Sequence, residues 1–366
     1  MKISVERSAL LEAINHLSRI VNNKTSLPVL EGIYFSAEQG KLTLISYNLE
    51  MGIKKVIYSN TEENGEIVIS ARILAEILRK MNGIKVEIET DDRLMCHIKS
   101  GSANFDIMGM AGSDFPEMPT VINENPIKIG GEILKNMVRR TIFAVAQNEG
   151  TRPILTGVKV SIKKDNIQFV AIDGFRLAIR NEKLNIDADA DFIVPGKAIS
   201  ELVKIIDDEN EDVEINRGVN LISFEANGYS FISRLLEGNF VDYTKTVPPT
   251  YKQRIFVNTT DLINTIDRIS PVINDAFSTP VRCIISEENI LFSCTSAVGR
   301  ATENFPITLE GEEFEIGLNS RYLLDALKAS EVENVKIEFN GATSGVLIKP
   351  TDNDEFLYMI MPMRLR

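Results

Sequence analysis

The chain of 366 residues is too long for one ordinary hydrophobic core and predicts two or three domains. Its hydrophobic content of 44% and charged content of 25% are typical of a globular protein, and no apolar run is long enough to cross a membrane. A net charge of −12 argues against a surface covered by basic patches, so binding to nucleic acid would require the basic residues to be concentrated in one place.

The beginning of the chain and the cysteines both bear on location. Strand-like residues begin at position 2, so we expect no signal peptide and a cytoplasmic protein. Cys96, Cys283 and Cys294 lack the spacing of metal ligands. They are expected to be small core or strand residues in a reducing compartment.

A strand followed by a helix opens three segments of the chain. Residues 3–5 lead to Leu10, residues 127–129 lead to Leu134, and residues 255–257 lead to Leu262. A Pro-containing segment follows at 27–33 and again at 152–158, with a looser copy at 279–283. Further strand-like runs and a second helix return in the same order each time. This constant order predicts three copies of one unit.

Periodicity assigns the elements within one copy. Leu10, Ile14, Leu17 and Val21 fall on one helical face, whereas residues 85–89 alternate as in a half-buried strand. We therefore predict an α+β fold, in which each copy places two helices on one face of an antiparallel sheet. Proline and turn residues at 116–126 and 247–253 separate the copies. The predicted domains are residues 1–122, 127–245 and 246–366.

The chain shows no catalytic constellation. His16 and His97 have neither the spacing of a metal pair nor a nucleophile nearby in sequence, and phosphate-binding glycine loops are absent. The acidic run at 207–212 is better explained as a solvated loop than as a metal site, and Asp91 is expected at a hairpin turn. Catalytic residues, metal and cofactors are thus all predicted to be none.

Basic residues recur on the second helix of each copy at offsets of 125 and 249. They are Arg72 and Arg79, then Lys197 and Lys204, then Arg321 and Lys328. Seven residues are about two helical turns, so each pair is expected on one face. Basic residues on or near the first helices are added to this set: His16, Lys24, Lys135, Arg139, Arg140 and Arg268. This repetition favours a surface that contacts phosphates without reading sequence.

A surface stabilised by salt bridges is the alternative explanation of the same pattern. Glu76, Glu201 and Asp325 recur at the same offsets and lie between the basic pairs. Pairing with residues three or four positions away would then neutralise the helices.

Several motifs together resemble one family over the whole chain. They are the opening Met1-Lys2-Ile3, the segments at 27–30 and 48–51, Ser113-Asp114-Phe115-Pro116, Asp173-Gly174-Phe175-Arg176-Leu177 and Met361-Pro362-Met363-Arg364-Leu365. The chain is similar to bacterial sliding clamps, the beta subunits of DNA polymerase III. The resemblance implies a head-to-tail homodimer whose six domains close a ring around double-stranded DNA. The helices would line the hole.

The resemblance also implies partners and seam residues. The ring would bind replicative DNA polymerase subunits, the clamp loader and other proteins that carry a clamp-binding motif. It would need no membrane. The dimer seam would join the first copy of one chain to the third copy of the other. Phe105 and Ile107 correspond to one side of that seam, and Val272 and Ile273 correspond to the other.

The family binds short peptide motifs in a groove between its second and third copies. The positions that correspond here are Leu155, Ile172, Gly174, Phe175, Arg176, Leu177, Val241, Lys245, Thr246, Phe277, Thr343, Gly345, Met359, Ile360, Met361, Pro362, Met363 and Arg364. A lining rich in methionine suits a site that accepts many partners. The sequence departs from the family's usual pattern at Phe175, Val241 and Arg366, so we expect the groove to differ from the family's in its fine shape.

Two other classes of protein remain open. One is an acidic scaffold that binds only proteins. The other is a metal-dependent nucleic-acid enzyme that uses Asp91-Asp92 or Asp207-Asp208.

Overall fold

A computed structural model of the chain describes residues 1–22, 25–121, 123, 125–147, 152–186, 188–206, 211–273 and 279–365. The chain forms two compact units. The first contains Met1–Lys135 and Lys197–Leu235, and the second contains Asn136–Gly196 and Leu236–Arg366. Within the described ranges, no helix has both the length and the apolar character that crossing a membrane requires.

The first copy begins with a strand and a helix, as the sequence predicts. Its elements are β1 (Lys2–Glu6), α1 (Arg7–Leu17), β2 (Gly32–Glu38), β3 (Lys41–Tyr47), β4 (Met51–Tyr58), β5 (Asn60–Glu63), β6 (Gly65–Ser70), α2 (Ala71–Lys80), β7 (Lys85–Thr90), β8 (Met95–Ser100) and β9 (Ala103–Met108). Leu10, Ile14 and Leu17 are buried on α1, because they recur at helical spacing. Val21 lies outside this helix, since α1 ends at Leu17 and a short 3-10 turn follows.

The second and third copies repeat this order. The second contains β10 (Ile127–Gly130), α3 (Gly131–Arg139), β11 (Gly157–Lys163), β12 (Asn166–Ile172), β13 (Arg176–Glu182), β14 (Ala190–Pro195), α4 (Gly196–Leu202), β15 (Asp212–Arg217), β16 (Leu221–Ala226) and β17 (Tyr229–Arg234). The third contains β18 (Gln253–Asn258), α5 (Thr259–Ile269), β19 (Val281–Ile285), β20 (Asn289–Thr295), β21 (Arg300–Pro306), β22 (Leu309–Glu310), β23 (Phe314–Leu318), α6 (Ser320–Ser330), β24 (Asn334–Phe339), β25 (Val346–Pro350) and β26 (Phe356–Ile360). The predicted α+β fold is confirmed.

Two antiparallel sheets build the first unit. One has the strand order β5-β1-β7-β8-β9, and the other has the order β10-β15-β16-β17-β4-β3-β2-β6. Helices α1 and α2 pack together, α1 on β3 and β4 and α2 on β2 and β6. The larger sheet contains strands from two copies, because β17 of the second copy pairs with β4 of the first. We call the β4–β17 pairing the first joint.

The second unit contains the corresponding pairing. Its larger sheet has the order β14-β11-β12-β13-β26-β25-β24-β18-β22, and its smaller sheet has the order β21-β20-β19-β23. Here β26 of the third copy pairs with β13 of the second. We call the β13–β26 pairing the second joint. The two joints use equivalent strands of successive copies.

Two of the Pro-containing segments lead into glycines that the packing requires, Gly32 and Gly157. Pro153–Thr156 forms a 3-10 turn, and Gly157 begins β11 beside β14. A Cβ atom at Gly157 would lie 2.6 Å from Leu236 Cδ1, 2.7 Å from Ile193 Cγ2 and 2.8 Å from the Val194 carbonyl oxygen. The third neighbour is backbone and cannot rotate away. A side chain at this position would therefore separate β11 from β14.

We predict that Gly157→Ala destabilises the second unit by about 1–3 kcal/mol, because the added methyl overpacks the contact between β11 and β14. The matched control is Gly130→Ala, whose Cβ would meet nothing nearer than Ile133 Cδ1 at 3.7 Å. Circular dichroism during guanidinium unfolding measures the midpoint of each variant. Equal midpoints for the two variants would contradict this account of the repeated glycine.

Candidate nucleic-acid interface and peptide groove

The basic residues predicted on the second helices are all exposed. Arg72 and Arg79 lie on α2, Lys197 on α4, and Arg321 and Lys328 on α6. Lys204 lies beyond the helix, because α4 ends at Leu202. A tighter turn follows the helix, in which the Lys204 N–H donates to the Glu201 carbonyl at 3.2 Å. The prediction that both basic residues share one helix is therefore wrong for the second copy.

Neighbouring carboxylates accompany several of these cations. Arg72 Nη1 lies 3.7 Å from Glu76 Oε1, and Lys204 Nζ lies 2.7 Å from Glu201 Oε1. Lys328 Nζ lies 3.6 Å from Asp267 Oδ2. The salt-bridged alternative thus describes α2 and the end of α4. Exposed pairs of this kind are weak and leave the cations available to other anions.

The residues predicted from the first helices are less uniform. Lys135 Nζ donates to the Ile206 carbonyl oxygen at 3.3 Å. Arg139 is exposed and its Nε lies 2.9 Å from Glu331 Oε1. Arg268 pairs with Glu303 and remains mostly exposed.

Two members of that set are not surface cations. Arg140 is buried, and its Nη2 lies 3.5 Å from Glu331 Oε2. Its prediction as a DNA-facing residue is wrong, because the guanidinium is enclosed with a carboxylate from the third copy. His16 is half-buried against Tyr229, with ring centroids 5.1 Å apart, and burial lowers its pKa. The predicted residue Lys24 lies outside the described part of the chain.

The residues suspected of chemistry take structural positions. Asp91 Oδ1 accepts the backbone N–H groups of Arg93 and Met95, both at 2.9 Å, which is the expected hairpin turn. Cys96, Cys283 and Cys294 are buried, and burial raises the pKa of the Cys96 thiol to about 11. Among the described residues, no group of acidic, histidine or cysteine side chains could hold a metal ion. Asp207 and Asp208 lie outside those residues.

The base of the predicted groove is a buried apolar cluster in the second unit. Four predicted groove residues take part in it: Leu155, Ile172, Leu177 and Met359. Val241 packs against this cluster as a partly buried side chain. Gly345 lies beside it, because a Cβ atom there would be 2.7 Å from Met359 Sδ. The structure thus brings together residues from both copies.

Two exposed apolar side chains stand at the second joint. Phe175 is 62% exposed and Met361 is 36% exposed. Their backbones are joined, since the Met361 N–H donates to the Phe175 carbonyl oxygen at 2.8 Å. Ile360 is buried opposite Arg176 in the strand register. A pair of large, exposed apolar side chains on a fixed backbone is suited to a contact with another molecule.

The turn that carries Phe175 is held by local bonds. Gly174 has φ +95°, a conformation that glycine adopts without strain. Asp173 Oδ1 accepts the N–H groups of Phe175 at 2.8 Å and Arg176 at 2.9 Å. The Asp173 side chain and the Gly174 backbone together therefore hold residues 173–176 as a tight turn.

The C-terminal segment is anchored to the smaller sheet of the second unit. Met363 forms an isolated bridge with Gly317 of β23, and its N–H donates to the Gly317 carbonyl at 2.8 Å. A cavity of about 450 Å³ lies along this segment. It is lined by predicted groove residues and their neighbours: Thr343, Pro362, Met363, Arg364, Leu365, Glu315, Ile316, Gly317 and Ala342.

The remaining predicted groove residues lie at the surface. Lys245 Nζ is 3.1 Å from Asp242 Oδ2, and Thr246 Oγ1 donates to the Tyr243 carbonyl at 2.7 Å. Tyr243 packs against the apolar cluster, which places this loop beside it. Phe277 and Arg366 lie outside the described residues.

The predicted seam residues are all at least partly exposed. Phe105 and Ile107 are on β9, the edge strand of its sheet. Phe105 is 36% exposed and Ile107 is partly exposed. Val272 and Ile273 are also partly exposed, at and just after the 3-10 turn Ser270–Val272.

Sequence reasoning missed two features of these sites. One is the ion pair between Arg176 and Asp325, with an Nη1–Oδ2 distance of 2.6 Å. No spacing in the sequence indicates it, because the residues are far apart along the chain. The other is the equivalence of the two joints, which aligning the strands of the three copies could have indicated.

Comparison with known proteins places the chain in a family. It matches the DNA polymerase III beta subunit N-terminal domain over residues 1–119, the central domain over 128–242 and the C-terminal domain over 244–364. The beta sliding clamp of Bacillus subtilis is 33% identical over 377 aligned residues and is covered completely, as is this chain.

Solved structures agree over the full length of both chains. The Bacillus subtilis DNA polymerase sliding clamp has a TM-score of 0.95 at 32% identity, and a putative DNA polymerase III beta subunit from Eubacterium rectale has 0.94 at 30%. A Pseudomonas aeruginosa sliding clamp bound to griselimycin has 0.92 at 26%. Because all three domains match in order and full-length relatives exceed 30% identity, the chain belongs to the DNA polymerase III beta subunit family, the beta sliding clamps.

Proposed function

We propose that this protein is a DNA sliding clamp. Two chains associate head to tail into a ring that encircles double-stranded DNA without reading its sequence. The ring tethers the replicative DNA polymerase, and it accepts the clamp loader and other peptide-bearing partners at the groove. It is a non-catalytic processivity subunit that works in the cytoplasm. The observation that carries the proposal is the repetition of one strand joint between successive copies.

The third joint that this repetition calls for has both of its strands available. The first joint pairs β4 with β17, and the second pairs β13 with β26. The equivalent strands that remain are β21 and β9. In the described part of the chain, β9 pairs only with β8, and β21 pairs only with β20. Edge strands present unpaired N–H and C=O groups, so β9 of one chain can pair with β21 of a second chain.

The two existing joints predict the register of this seam. Phe231 faces Ile53 in the first joint, and Tyr358 faces Ala178 in the second. The hairpins of the three copies align Phe231 and Tyr358 with Phe105. They align Ile53 and Ala178 with Ala301. Phe105 of one chain would therefore face Ala301 of the other. In the next pair of this antiparallel register, Asp106 of one chain would face Arg300 of the other. That pair is an oppositely charged cross-strand pair.

The second joint also supports the predicted apolar contact at the seam. Tyr358 packs edge-on against Phe143, with ring centroids 5.2 Å apart. Tyr358 is equivalent to Phe105. Applying the offset between Leu134 and Leu262, the counterpart of Phe143 is Pro271. We propose that Phe105 and Ile107 pack near Pro271, Val272 and Ile273 of the partner copy.

The exposed cations on and just beyond the second helices support contact with DNA. The proposed phosphate-facing residues are Arg72, Arg79, Lys197, Lys204, Arg321 and Lys328, with Lys135, Arg139 and Arg268 beside them. Arg72, Lys204 and Lys328 are exposed cations held in ion pairs, and phosphate oxygens can replace their carboxylate partners at little cost. Such contacts depend on salt and not on sequence, as free movement along a duplex requires.

The groove supports binding of an apolar peptide segment. The buried cluster under Leu155, Leu177 and Met359 forms a preformed base, and Phe175 and Met361 add exposed apolar area. Burial of a partner's side chains there contributes roughly 25 cal/mol per Å² before ordering costs. The flexible methionines allow different partners to fit.

We predict that Arg72, Lys197 and Arg321, changed together to alanine, reduce the salt dependence of DNA retention. Each lost phosphate contact lowers the slope of log affinity against log salt by roughly one unit or less. Retention on closed circular DNA after loading is measured across a salt series. Cutting the circle should release both the wild type and the variant, because only a closed duplex retains a ring.

The matched control removes three exposed lysines from strands and a hairpin: Lys41, Lys163 and Lys164. This control should behave as the wild type does. An equal change in slope for both variants would mean that total charge matters and the helices do not. Failure of the wild type to remain on closed circles would favour the scaffold that binds only proteins.

We predict that Asp106→Arg and Arg300→Asp each weaken the homodimer, about tenfold, because each places like charges opposite each other at both seams. The two changes combined should restore dimerisation. Sedimentation equilibrium reports the dimer, which has twice the chain mass of 40.9 kDa.

A His97→Ala control accounts for the separate contact of His97 Nδ1 with Asp106 Oδ1 at 2.6 Å. The proposed register is wrong if the charge-swapped double variant dissociates as readily as the single variants do.

We predict that deleting residues 361–366 abolishes peptide binding and leaves a folded dimer. The deletion removes Met361 and its bond to the Phe175 carbonyl. The segment pairs with β23, which lies at the opposite edge of its sheet from β21. Fluorescence anisotropy with a labelled polymerase peptide measures binding, and deletion of Arg366 alone is the control. A dissociated or unfolded product that still binds peptide would show that the segment is structural.

A further inference from the structure

The acidic residues that recur between the helix cations do not behave alike. Glu76 pairs with Arg72 on its own helix, and Glu201 pairs with Lys204 just beyond its own helix. Asp325, at the equivalent position of α6, instead accepts from Arg176 Nη1 at 2.6 Å. Asp325 is thus the member of the set that contacts a residue of the predicted groove.

Arg176 is a buried cation with a specific surrounding. Only 7% of the residue is exposed. Its Nε donates to Asp173 Oδ2 at 2.9 Å, and its guanidinium carbon lies 4.4 Å from the centroid of the Tyr322 ring and 5.5 Å from that of Phe143. A buried charge that loses one of two carboxylate partners is strongly disfavoured. Asp325 and Tyr322, one turn apart on α6, together hold this guanidinium in place.

The position of Arg176 determines that of the exposed groove wall. Asp173 bonds both the Arg176 side chain and the N–H groups of Phe175 and Arg176. The Phe175 carbonyl in turn receives the Met361 N–H. Phe175 is 62% exposed, so packing around its ring contributes little to its position, and the backbone of the turn is the main constraint. The chain of contacts runs from Asp325 through Arg176 and Asp173 to Phe175.

We propose that Asp325 is a positioning residue of the peptide groove: its carboxylate holds Arg176, and thereby the Asp173–Arg176 turn, in the conformation that an apolar peptide segment binds. The proposal rests on the proposed function of the groove. Asp325 lies outside the set of predicted groove residues and acts through Arg176. Its charge is required, because a neutral side chain of the same shape leaves the buried guanidinium with one carboxylate partner.

The test compares Asp325→Asn with Asp267→Asn in the full-length dimer. Asp267 is the matched control, since it is also a helix carboxylate paired with a cation, Lys328 at 3.6 Å, but that cation is exposed, whereas Arg176 is buried. A fluorescein-labelled peptide that carries the clamp-binding motif of a replicative polymerase is the probe. We expect Asp325→Asn to weaken its binding about tenfold. We expect Asp267→Asn to bind as the wild type does, and Asp325→Glu to recover most of the affinity.

A second readout reports the position of the turn without any peptide. The chain contains no tryptophan, so Phe175→Trp introduces a single reporter at the groove wall. We expect lower steady-state anisotropy of this tryptophan when Asp325→Asn is added, and no change when Asp267→Asn is added. A change in overall stability alone would not lower the anisotropy of the folded protein.

The outcomes separate this proposal from the function on which it rests. Unchanged anisotropy together with wild-type peptide affinity in Asp325→Asn overturns the positioning role. Equal loss of affinity in both asparagine variants also overturns it, because helix charge would then be the cause. If the wild type binds no peptide, the groove function fails, and the anisotropy comparison still decides whether Asp325 positions the turn.

Discussion

The antiparallel pairing of equivalent strands from successive copies is the interaction on which the other features depend. At the first joint β4 receives β17, and at the second β13 receives β26, so backbone hydrogen bonds continue each sheet from one copy into the next. These bonds are independent of side-chain identity, which explains how they persist although Ile53 faces Phe231 in one joint and Ala178 faces Tyr358 in the other. The second joint also brings Met361 beside Phe175, so the groove wall is a product of the joint.

The positions of the charges along the chain matter more for anion binding than the net charge does. The net charge of −12 describes the whole chain, whereas the second helices carry exposed cations at repeated positions. Several of these cations have a carboxylate within 4 Å, which offsets part of their charge when no phosphate is present. Weak, exchangeable pairing of this kind is compatible with a surface that slides.

The sequence predicted the fold well, because three copies present each pattern three times. The alternation at 85–89 and the repeated opening strands and helices correspond to observed elements. Local patterns failed where distant partners decide the outcome. Arg140 is basic at a repeated position, yet Glu331 of the third copy encloses it. Lys204 has the right spacing, but α4 ends two residues before it. The role of Asp325 could not be predicted either, since Arg176 lies in another copy.

The edges of β9 and β21, which pair with no further strand in the described part of the chain, have a consequence for the proposed ring. A head-to-tail contact can join any number of chains, because every added chain leaves one free β9 edge and one free β21 edge. Only the curvature of the assembly can end the growth, so a change that flattens one joint would turn rings into filaments. If the proposed ring opens at this seam, the same two edges are expected to act as templates, since strand edges present N–H and C=O groups for pairing. Reclosure therefore needs no refolding, and rejoining should be limited by how fast the edges meet.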